Sequence, residues 1–498
     1  MDRPLPVTDL DWSADRAREI GGAAIDVWAE LLERIRELPP GRGAPQREVA
    51  AAMAWPVPDA PMPLEQLTEL LRSLVLEHSN YPGHGGFFGY ISGAGTIPGA
   101  AADLVAAGLN ANTGGWVLSP AATELELHLM RWLAGRFGLP AGSSGLMTTG
   151  GAMSNLTALK AARDAKAAGR VREQGVGSER MAFYVSEEAH ATNLEAADML
   201  GLGEQAVRGI PTDERFAMRV DELRRAIAGD VAEGIRPVAV VGTAGTTAIG
   251  AVDPLQQVAD VCAEHEAWFH VDAAYGGAAV LAPDLAPKLA GIGRADSIGF
   301  DPHKWLNTPQ SSACLLVRDP ARLTASFDID AAYVREDPEL SGLGISIGAT
   351  GPAWSRSFMA LKVWMSLAAH GLDAYARRIS HDAALARYLS AEAERRPDLE
   401  PVGPVELSIA CFRYVPPDLP VDEHREAYLD HLNERLMTAI RADGRAFPSN
   451  AVLRGRYVLR ACVMSFRTEA DDIDRLLDAA SEVGRRLDQS LRPAVPAP

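Results

Sequence analysis

Two stretches decide the fold, VAVVGTAG (residues 238–245) and AWFHVDAA (267–274), since each is a short apolar run that ends in small residues. Similar runs follow the same pattern: MAFYVS (181–186), DSIGF (296–300) and ACLLV (313–317). Apolar residues at both odd and even positions are typical of strands whose sheet is covered on both faces. Because the intervening lengths suit crossover helices, the sequence predicts an α/β domain with a mostly parallel sheet between about residues 140 and 320.

Helical patterns flank this region on both sides. PLEQLTELLRSLVLEH places four leucines at helical spacing, and SPAATELELHLMRWLAGRFG has Ser119 as a candidate N-cap with Pro120 at the first helical position. Beyond a long helix at about 356–370, short strands and helices alternate, which indicates a smaller α+β domain. We predict four parts: an N-terminal helical segment (1–95), a large α/β domain (96–365), a small α+β domain (366–490) and a disordered tail (491–498).

Composition excludes several classes of protein. The 498 residues, 47% hydrophobic and 23% charged, are typical of a soluble globular chain with more than one core. Apolar runs fall short of the roughly 20 residues that a membrane helix needs, and the acidic, polar start is unlike a secretory signal, so we expect a cytoplasmic protein. With 48 basic and 66 acidic residues the formal charge is −18, which disfavours nucleic acid and membranes as partners.

The four cysteines, Cys262, Cys314, Cys411 and Cys462, are scattered among apolar residues. Their spacing matches neither a metal site nor a redox pair, so we expect small buried side chains and no bound metal.

Ligands of a parallel sheet bind beyond the carboxyl ends of its strands, and chemically useful residues collect at those ends here. Asp272 lies near the end of the run AWFHVDAA, and Lys304 follows the next run in DSIGFDPHKWLN. A structural salt bridge between Asp272 and Lys304 is the simplest interpretation. A second interpretation explains more residues: pyridoxal 5′-phosphate requires a lysine amine, a carboxylate for its ring nitrogen, a flat group against its ring and a cradle for its phosphate.

The remaining two requirements have candidates in TTGGAMSNL (148–156) and SEEAHATN (186–193). A glycine turn that opens a helix presents free N–H groups to a phosphate, with Ser154 and Asn155 nearby, although an ordinary capped turn reads the same way. His190 lies at the apparent end of a strand and supplies a flat ring, although a lone histidine is more often structural.

Taken in order, TTGGAMSNL, SEEAH, TAGTTAIGAVDPL, HVDAAYGG and ADSIGFDPHKW resemble the signatures of the group II pyridoxal-phosphate-dependent amino-acid decarboxylases. The resemblance extends from about residue 80 to 470. It implies the aspartate-aminotransferase-like fold (fold type I) with pyridoxal 5′-phosphate as cofactor. It also implies a homodimer whose active sites are shared between subunits and whose N-terminal helices embrace the partner subunit.

Carried over position by position, the resemblance implies three catalytic residues: Lys304 as the Schiff-base lysine, Asp272 as the partner of the ring nitrogen, and His190 stacked on the ring. The implied cofactor-binding residues, besides these three, are Gly151, Ala152, Ser154, Thr247, Ala274 and His303. Asp301 replaces an asparagine that is frequent in the family. Because an ionised carboxylate facing phosphate is repulsive, we expect Asp301 to cap a helix or to point away.

The substrate residues implied by the resemblance are mainly aromatic. Phe87, Phe88, Tyr90 and Trp116 are candidates to line an apolar pocket, with His84 at a polar tip, while packing at a dimer interface explains the same aromatics equally well. Arg460 matches an arginine that binds the substrate carboxylate in the glutamate branch and that also occurs in the aromatic branch. Motifs of both branches are present, and we favour an aromatic L-amino acid.

The product is open at this stage. Simple decarboxylation through a quinonoid gives an amine, and in aromatic decarboxylases a loop tyrosine is thought to return the proton. The matching loop, DPELSGLGISIGATGPAWS (337–355), has no tyrosine, Ile347 falls near the expected position, and Tyr333 lies upstream. Loss of that tyrosine is associated with oxidative deamination to an aldehyde. Amine formation is our first choice, an aldehyde synthase or a glutamate-type decarboxylase the alternative, and a non-catalytic scaffold the least favoured.

Overall fold

The computed structural model describes residues 8–41, 43–168, 170–329 and 346–492. The N-terminal part is helical: α1 (Ala14–Arg34), α2 (Gln46–Ala52) and α3 (Leu64–Glu77) are followed by α4 (Ile97–Leu109) and α5 (Pro120–Arg136). Helices α1 and α3 pack together beside a small apolar cluster around Ile35, Leu38, Leu76 and Tyr81. As predicted, Ser119 is the N-cap residue of α5 and Pro120 its first residue, where a missing N–H costs no hydrogen bond.

The large domain alternates strands and helices. Its elements are β1 (Ser144–Thr148), α6 (Gly151–Lys166), α7 (Val171–Gln174), β2 (Met181–Ser186), α8 (Thr192–Met199), β3 (Val207–Ile210), α9 (Val220–Ala232), β4 (Arg236–Thr243), α10 (Leu255–Glu264), β5 (Trp268–Asp272), β6 (Ser297–Phe300), β7 (Ala313–Val317) and α11 (Ala321–Phe327). All five predicted strands are present. Sequence reasoning missed the short strands β1 and β3.

Within the described residues these seven strands form one sheet, in the order β1-β7-β6-β5-β4-β2-β3. In the sheet order β6-β5-β4-β2-β3 every neighbouring pair of strands is parallel. Strand β7 runs antiparallel to both of its neighbours, β1 and β6. The predicted mostly parallel sheet is therefore confirmed, with ACLLV as the reversed strand.

Both faces of the sheet are covered, as the apolar runs predicted. Along β4, Val240 packs in one hydrophobic cluster, while its neighbours Ala239 and Val241 pack in another cluster across the sheet. Successive strand side chains point to opposite faces, so a run that is apolar at both parities supplies two core layers. The four cysteines are free and buried, in agreement with the prediction.

The C-terminal part is a smaller α+β unit. Its elements are α12 (Met359–His370), α13 (Leu372–Arg395), β8 (Leu399–Pro401), β9 (Ile409–Tyr414), α14 (Arg425–Asp443), β10 (Ser449–Leu453), β11 (Arg456–Cys462) and α15 (Ala470–Leu491). The strands form an antiparallel sheet, ordered β10-β11-β9-β8, that shares an apolar cluster with α13, α14 and α15. The predicted boundaries at 95 and 365 stay predictions. In the part of the chain that is described, the helices are too short or too polar to cross a bilayer.

Candidate active site

The register of the sheet brings three strand ends together. Asp272, the last residue of β5, pairs with Thr243 at the end of β4 and with Gly299 of β6. Because these strands are parallel, the segments that follow them emerge at one edge. The Thr247 loop, Asp272 and the turn that contains Lys304 are therefore neighbours.

Lys304 forms an ion pair with Asp301 rather than with Asp272. Its Nζ lies 3.0 Å from Asp301 Oδ2, with the lysine side chain 21% exposed and the aspartate side chain 1% exposed. The turn that places them follows β6 directly, and the Lys304 N–H donates to the Asp301 carbonyl. The Asp272–Lys304 salt bridge considered from the sequence is therefore not the ion pair that Lys304 forms. Its partner is Asp301, three residues earlier in the same turn.

Asp272 ends a hydrogen-bonded network that runs beneath the sheet edge. Its Oδ2 accepts from Asn155 Nδ2 at 2.9 Å, and its Oδ1 accepts from the Ala274 N–H at 3.1 Å. Asn155 Oδ1 lies 3.0 Å from His270 Nε2, and His270 Nδ1 lies 2.8 Å from Ser297 Oγ. The Trp268 indole N–H donates to the same Ser297 oxygen at 2.8 Å.

A neutral His270 satisfies every group in this network. Burial lowers the pKa of His270 to about 4, so the ring carries one proton near neutral pH. That proton lies on Nε2 and is donated to Asn155 Oδ1, which leaves Nδ1 to accept from the Ser297 hydroxyl. The asparagine amide then donates to Asp272, so each donor in the chain points towards the carboxylate.

Helix α6 begins beside Asp301. The Gly151 N–H donates to Asp301 Oδ2 at 3.2 Å. A Cβ at position 151 would lie 3.0 Å from that oxygen and 3.2 Å from the Ala274 Cβ, so glycine permits the close approach. Ala152 is exposed, whereas the hydroxyl of Ser154 is buried and bonds to Thr148 Oγ1 and the Cys314 carbonyl. Gly151, Ala274 and Asp301 therefore form one compact group, and the Ser154 hydroxyl is used within the core.

Two buried polar atoms beside this group have no hydrogen-bond partner among the described residues: Asp301 Oδ1 and His303 Nδ1. His303 Nε2 lies 3.7 Å from Asp301 Oδ2, and burial lowers the pKa of the His303 ring. Buried polar atoms in native proteins normally have partners, so orphaned ones at a sheet edge mark a place where a polar ligand fits.

His190 and Thr247 are exposed at the same edge. The Thr192 N–H donates to His190 Nδ1 at 3.2 Å, and Thr192 Oγ1 accepts from Asn155 Nδ2 at 3.4 Å. One threonine thus joins His190 to the network that supports Asp272. Thr247 lies between Thr246 and Ala248 in the chain. The Thr246 side chain is buried, and its hydroxyl accepts from the Ala251 N–H.

Arg460, on β11, reaches this edge from the small domain. Its Nε donates to the Ala248 carbonyl at 3.2 Å, and its Nη1 donates to the Tyr90 carbonyl and to Ser449 Oγ, each at 3.1 Å. The residue is only 3% exposed, and within the described residues its Nη2 has no acceptor. The guanidinium is fixed by three segments and retains donors for an anion.

Comparison with known proteins identifies the arrangement. The family described as "Pyridoxal-dependent decarboxylase conserved domain" matches residues 47–415. The chain belongs to this family. It is 30% identical over 469 residues to the aromatic-L-amino-acid decarboxylase of Bacillus atrophaeus, covering 94% of this chain and 95% of that protein.

Two other relatives extend the comparison. A phenylacetaldehyde synthase from a Rosa hybrid cultivar is 28% identical over 466 residues, covering 92% of this chain and 91% of that protein. The crystal structure of Oryza sativa TDC with PLP and tryptamine superposes with a TM-score of 0.89 at 28% identity, covering 96% of this chain and 99% of that one. The fold is that of the pyridoxal-phosphate decarboxylases, and pyridoxal 5′-phosphate is the cofactor.

The residues at the sheet edge fit this cofactor. Lys304 has a primary amine, Asp272 has a carboxylate fixed by two donors, and the start of α6 offers backbone N–H groups beside an orphaned carboxyl oxygen. These are the groups that an aldehyde, a pyridine nitrogen and a phosphate require. The individual roles of these residues remain predictions.

Four of the predicted substrate side chains are engaged elsewhere. Phe87 stacks on Phe447 with ring centroids 4.8 Å apart, and Phe88 is fully buried in the apolar core of the small domain. His84 is buried with its Nδ1 accepting from the Gly86 N–H, and the Trp116 indole donates to Glu124. Contrary to the prediction, the contacts of His84, Phe87 and Phe88 are packing contacts within the chain. Arg460 lies at the sheet edge, where its Nε donates to the Ala248 carbonyl, and its role in binding the substrate stays a prediction.

The segment around these aromatics nevertheless touches the lysine turn through its backbone. A Cβ on Gly93 would lie 2.6 Å from the carbonyl oxygens of both His303 and Lys304, so only a glycine permits this approach. The neighbouring Ala94 N–H donates to Asn307 Oδ1 at 2.7 Å.

The loop expected to carry a proton donor is described only from residue 346. Tyr333 and residues 337–345 lie outside the described residues. Ile347, predicted near the position of the family's tyrosine, is buried in an apolar cluster, and the next N–H, of Gly348, donates to the Gly114 carbonyl at 2.8 Å. The Ile347 side chain is therefore a packing residue.

Sequence reasoning missed the network behind Asp272. Asn155 was placed near the phosphate, whereas the structure turns its amide to Asp272 and His270. One signal was present: His270 and Asp272 are two apart on a strand and so share a face. A buried histidine beside a buried aspartate then needs a bridging group. Expecting Asp301 to cap a helix was correct, while its pairing with Lys304 was not foreseen.

Proposed function

We propose that this protein decarboxylates an aromatic L-amino acid to the amine and CO2, with Lys304, Asp272 and His190 as the catalytic residues. The observation that carries the proposal is the meeting of Lys304 and the fixed Asp272 carboxylate at adjacent strand ends. Similarity to an aromatic-L-amino-acid decarboxylase and to TDC with tryptamine supports an aromatic substrate.

The chemistry that bound pyridoxal phosphate supplies is an electron sink for the pair left at the α-carbon when CO2 leaves. Lys304 would hold the cofactor through its amine, and release of that amine would leave room for the amine of the substrate. Asp272, held in place by its two donors, would hold a proton on the ring nitrogen. Removal of the Asp272 charge would weaken the electron sink more than it would weaken binding of the cofactor.

Arg460 is the proposed contact for the substrate carboxylate. Its Nη2 has no acceptor among the described residues, and its other two nitrogens are held by carbonyl and hydroxyl groups. A guanidinium fixed in this way loses little side-chain entropy when it binds an anion. His190, exposed beside Asp272's network, is the proposed ring-stacking group and a candidate proton donor.

A homodimer with shared active sites is also proposed. Among the described residues, α4 exposes a run of large apolar side chains, and the loop after it adds two more: Leu104, Val105, Leu109, Val117 and Leu118. Several exposed large apolar side chains on one helix and the loop after it are typical of an interface. The cytoplasmic location stays a prediction.

An aldehyde product is the second candidate. Its support is the tyrosine-free stretch 337–355 together with the similarity to a phenylacetaldehyde synthase. Incubation with a panel of amino acids, with CO2, amine, aldehyde and peroxide assayed separately, tests both. Amine and CO2 in equal amounts support the first proposal, and aldehyde with peroxide in place of amine contradicts it.

A further inference from the structure

Asp301 occupies the donors that the cofactor needs. Its Oδ2 accepts from the Gly151 N–H at 3.2 Å and lies 3.0 Å from Lys304 Nζ. The inference rests on the proposed function: the cofactor's aldehyde requires the lysine amine, and its phosphate binds at the start of α6, where the predicted residues Gly151, Ala152 and Ser154 lie. Asp301 therefore loses its ion pair and its backbone donor when the cofactor binds.

Asp301 has little freedom to leave. The side chain is 1% exposed, and its own N–H donates to the Ala274 carbonyl at 3.2 Å. The carboxyl group lies close to Gly151: a Cβ at position 151 would be 3.0 Å from Asp301 Oδ2 and 3.5 Å from Asp301 Oδ1. A phosphate bound at this helix start thus lies beside a carboxyl group that is held in place.

Within the described part of the chain, the surrounding groups do not neutralise the Asp301 carboxylate once Lys304 is bonded to the cofactor. From its own turn the remaining titratable neighbour is His303, whose Nε2 is 3.7 Å away and whose pKa is lowered by burial. From β7 the neighbour is Cys314, whose thiol stays protonated because burial raises its pKa. From α6 it is the helix N-terminus, which the phosphate itself binds.

We propose that Asp301 binds the cofactor's phosphate as a neutral carboxylic acid, taking one proton from solvent and donating it from Oδ1 to a phosphate oxygen. Oδ1 has no partner among the described residues, so a proton there gains an acceptor without breaking a contact. The carboxylic acid then presents the same donor that a carboxamide would present at this position.

The test compares cofactor affinity at two pH values. Cofactor-free wild-type protein and Asp301→Asn are titrated with pyridoxal phosphate at pH 6.5 and 8.5, with tryptophan fluorescence as the readout. One extra proton bound by the wild type changes its Kd about tenfold per pH unit. The ratio of wild-type to variant Kd should therefore rise up to about 100-fold across this range. Protonation of the cofactor itself is common to both proteins and cancels.

Four results would overturn the inference. A Kd ratio that stays constant with pH, with both proteins binding normally, contradicts it and leaves the proposed function intact. If the Kd ratio for pyridoxal, which has no phosphate, also rises with pH, the effect comes from the Asp301–Lys304 ion pair. Loss of the pH dependence in His303→Gln assigns the proton to His303. Supporting the inference, the phosphorus-31 shift of bound cofactor in the wild type should be that of a dianion; a monoanion contradicts it.

Discussion

The ends of β5 and β6 carry an aspartate each, and the two are built differently. Asp272 is held by two donors, and the network behind it accounts for each polar group back to Trp268. Asp301 shares one oxygen among several neighbours; its other oxygen, and the adjacent His303 Nδ1, have no hydrogen-bond partner among the described residues. The first end is complete without a ligand, and the second is not.

This difference separates a preorganised part of the site from a part that changes on binding. A complete network of buried hydrogen bonds resists rearrangement, whereas unmet groups cost free energy until a ligand meets them. Substitutions at the two ends should therefore differ in what they disturb. Those behind Asp272 should alter rate and stability, and those near Asp301 should alter the binding of the cofactor.

The largest effect is expected for Lys304→Ala. Loss of the amine removes the covalent link to the cofactor, so the visible absorbance band should vanish and the turnover number should fall on the order of 10³-fold or more. Lys288→Ala, which removes a lysine paired with Glu406 elsewhere in the chain, is the control. A band that persists in Lys304→Ala would show that the anchor is a different residue.

A smaller but still large effect is expected for Asp272→Asn. The substitution keeps the shape of the side chain and removes the charge that holds a proton on the ring nitrogen. The turnover number should fall on the order of 10²- to 10³-fold, the range for losing one fixed charge-stabilising group, while the cofactor remains bound. Equal loss of cofactor and of activity would contradict the proposed role.

Asn155→Ala should have an intermediate effect. It removes one of two donors to Asp272 and leaves the His270 Nε2–H without an acceptor. The free energy of unfolding should fall by about 1–3 kcal/mol, the cost of an unmet buried donor, and the turnover number by about tenfold. Thr157→Ala, on the same helix and bonded only to a carbonyl of that helix, is the matched control.

An additional readout separates positioning from simple destabilisation in Asn155→Ala. If the amide holds Asp272 for catalysis, the pH at which the cofactor's absorbance band changes should shift in Asn155→Ala and not in Thr157→Ala. A loss of stability with no shift of that titration would make Asn155 a structural residue only.

The smallest effect at neutral pH is expected from the titration of His270, because it changes stability only as the pH falls. Its pKa in the folded protein is about 4, below the roughly 6.5 of an unfolded histidine, so the unfolded state binds more protons between these values. The contribution to stability is complete above about pH 6.5 and is lost as pH falls towards 4, up to ~3 kcal/mol. His270→Gln should remove this component from urea unfolding curves at fixed protein concentration.

The control for that titration is His265→Gln, at the C-cap of the neighbouring helix α10. Unfolding free energies of the wild type and His270→Gln that fall equally between pH 6.5 and 4 would show that His270 titrates normally and that its network is looser than described.

Much of the fold followed from the sequence because buried strands and their ends have strong local signals. The five apolar runs became β2, β4, β5, β6 and β7, and the residues that end them supplied Asp272 and the lysine turn. The reversed direction of β7 has no local signal, since pairing direction depends on the path of the chain. Short strands such as β3, with one buried residue in four, resemble loops.

The site was predictable in its residue types and less so in its contacts. Which neighbour Lys304 pairs with depends on side-chain rotamers in one turn, which no spacing rule fixes. Phe87 and Phe88 were assigned to the pocket because the sequence pattern of an apolar residue near a pocket motif is the same in two cases. The residue can line the pocket or pack behind it, and these two pack within the chain. Arg460 was named because it matches an arginine of the glutamate and aromatic branches, and its role stays a prediction.

The contact of Gly93 with the His303 and Lys304 carbonyls has a consequence for how the site is assembled. It joins positions about two hundred residues apart, and contacts of such long sequence separation form late because the loop between them must first close. A chain that began at residue 96 would retain every strand of the large sheet and still lack this contact. The turn that carries Lys304 is thus completed by a segment from the N-terminal part of the chain.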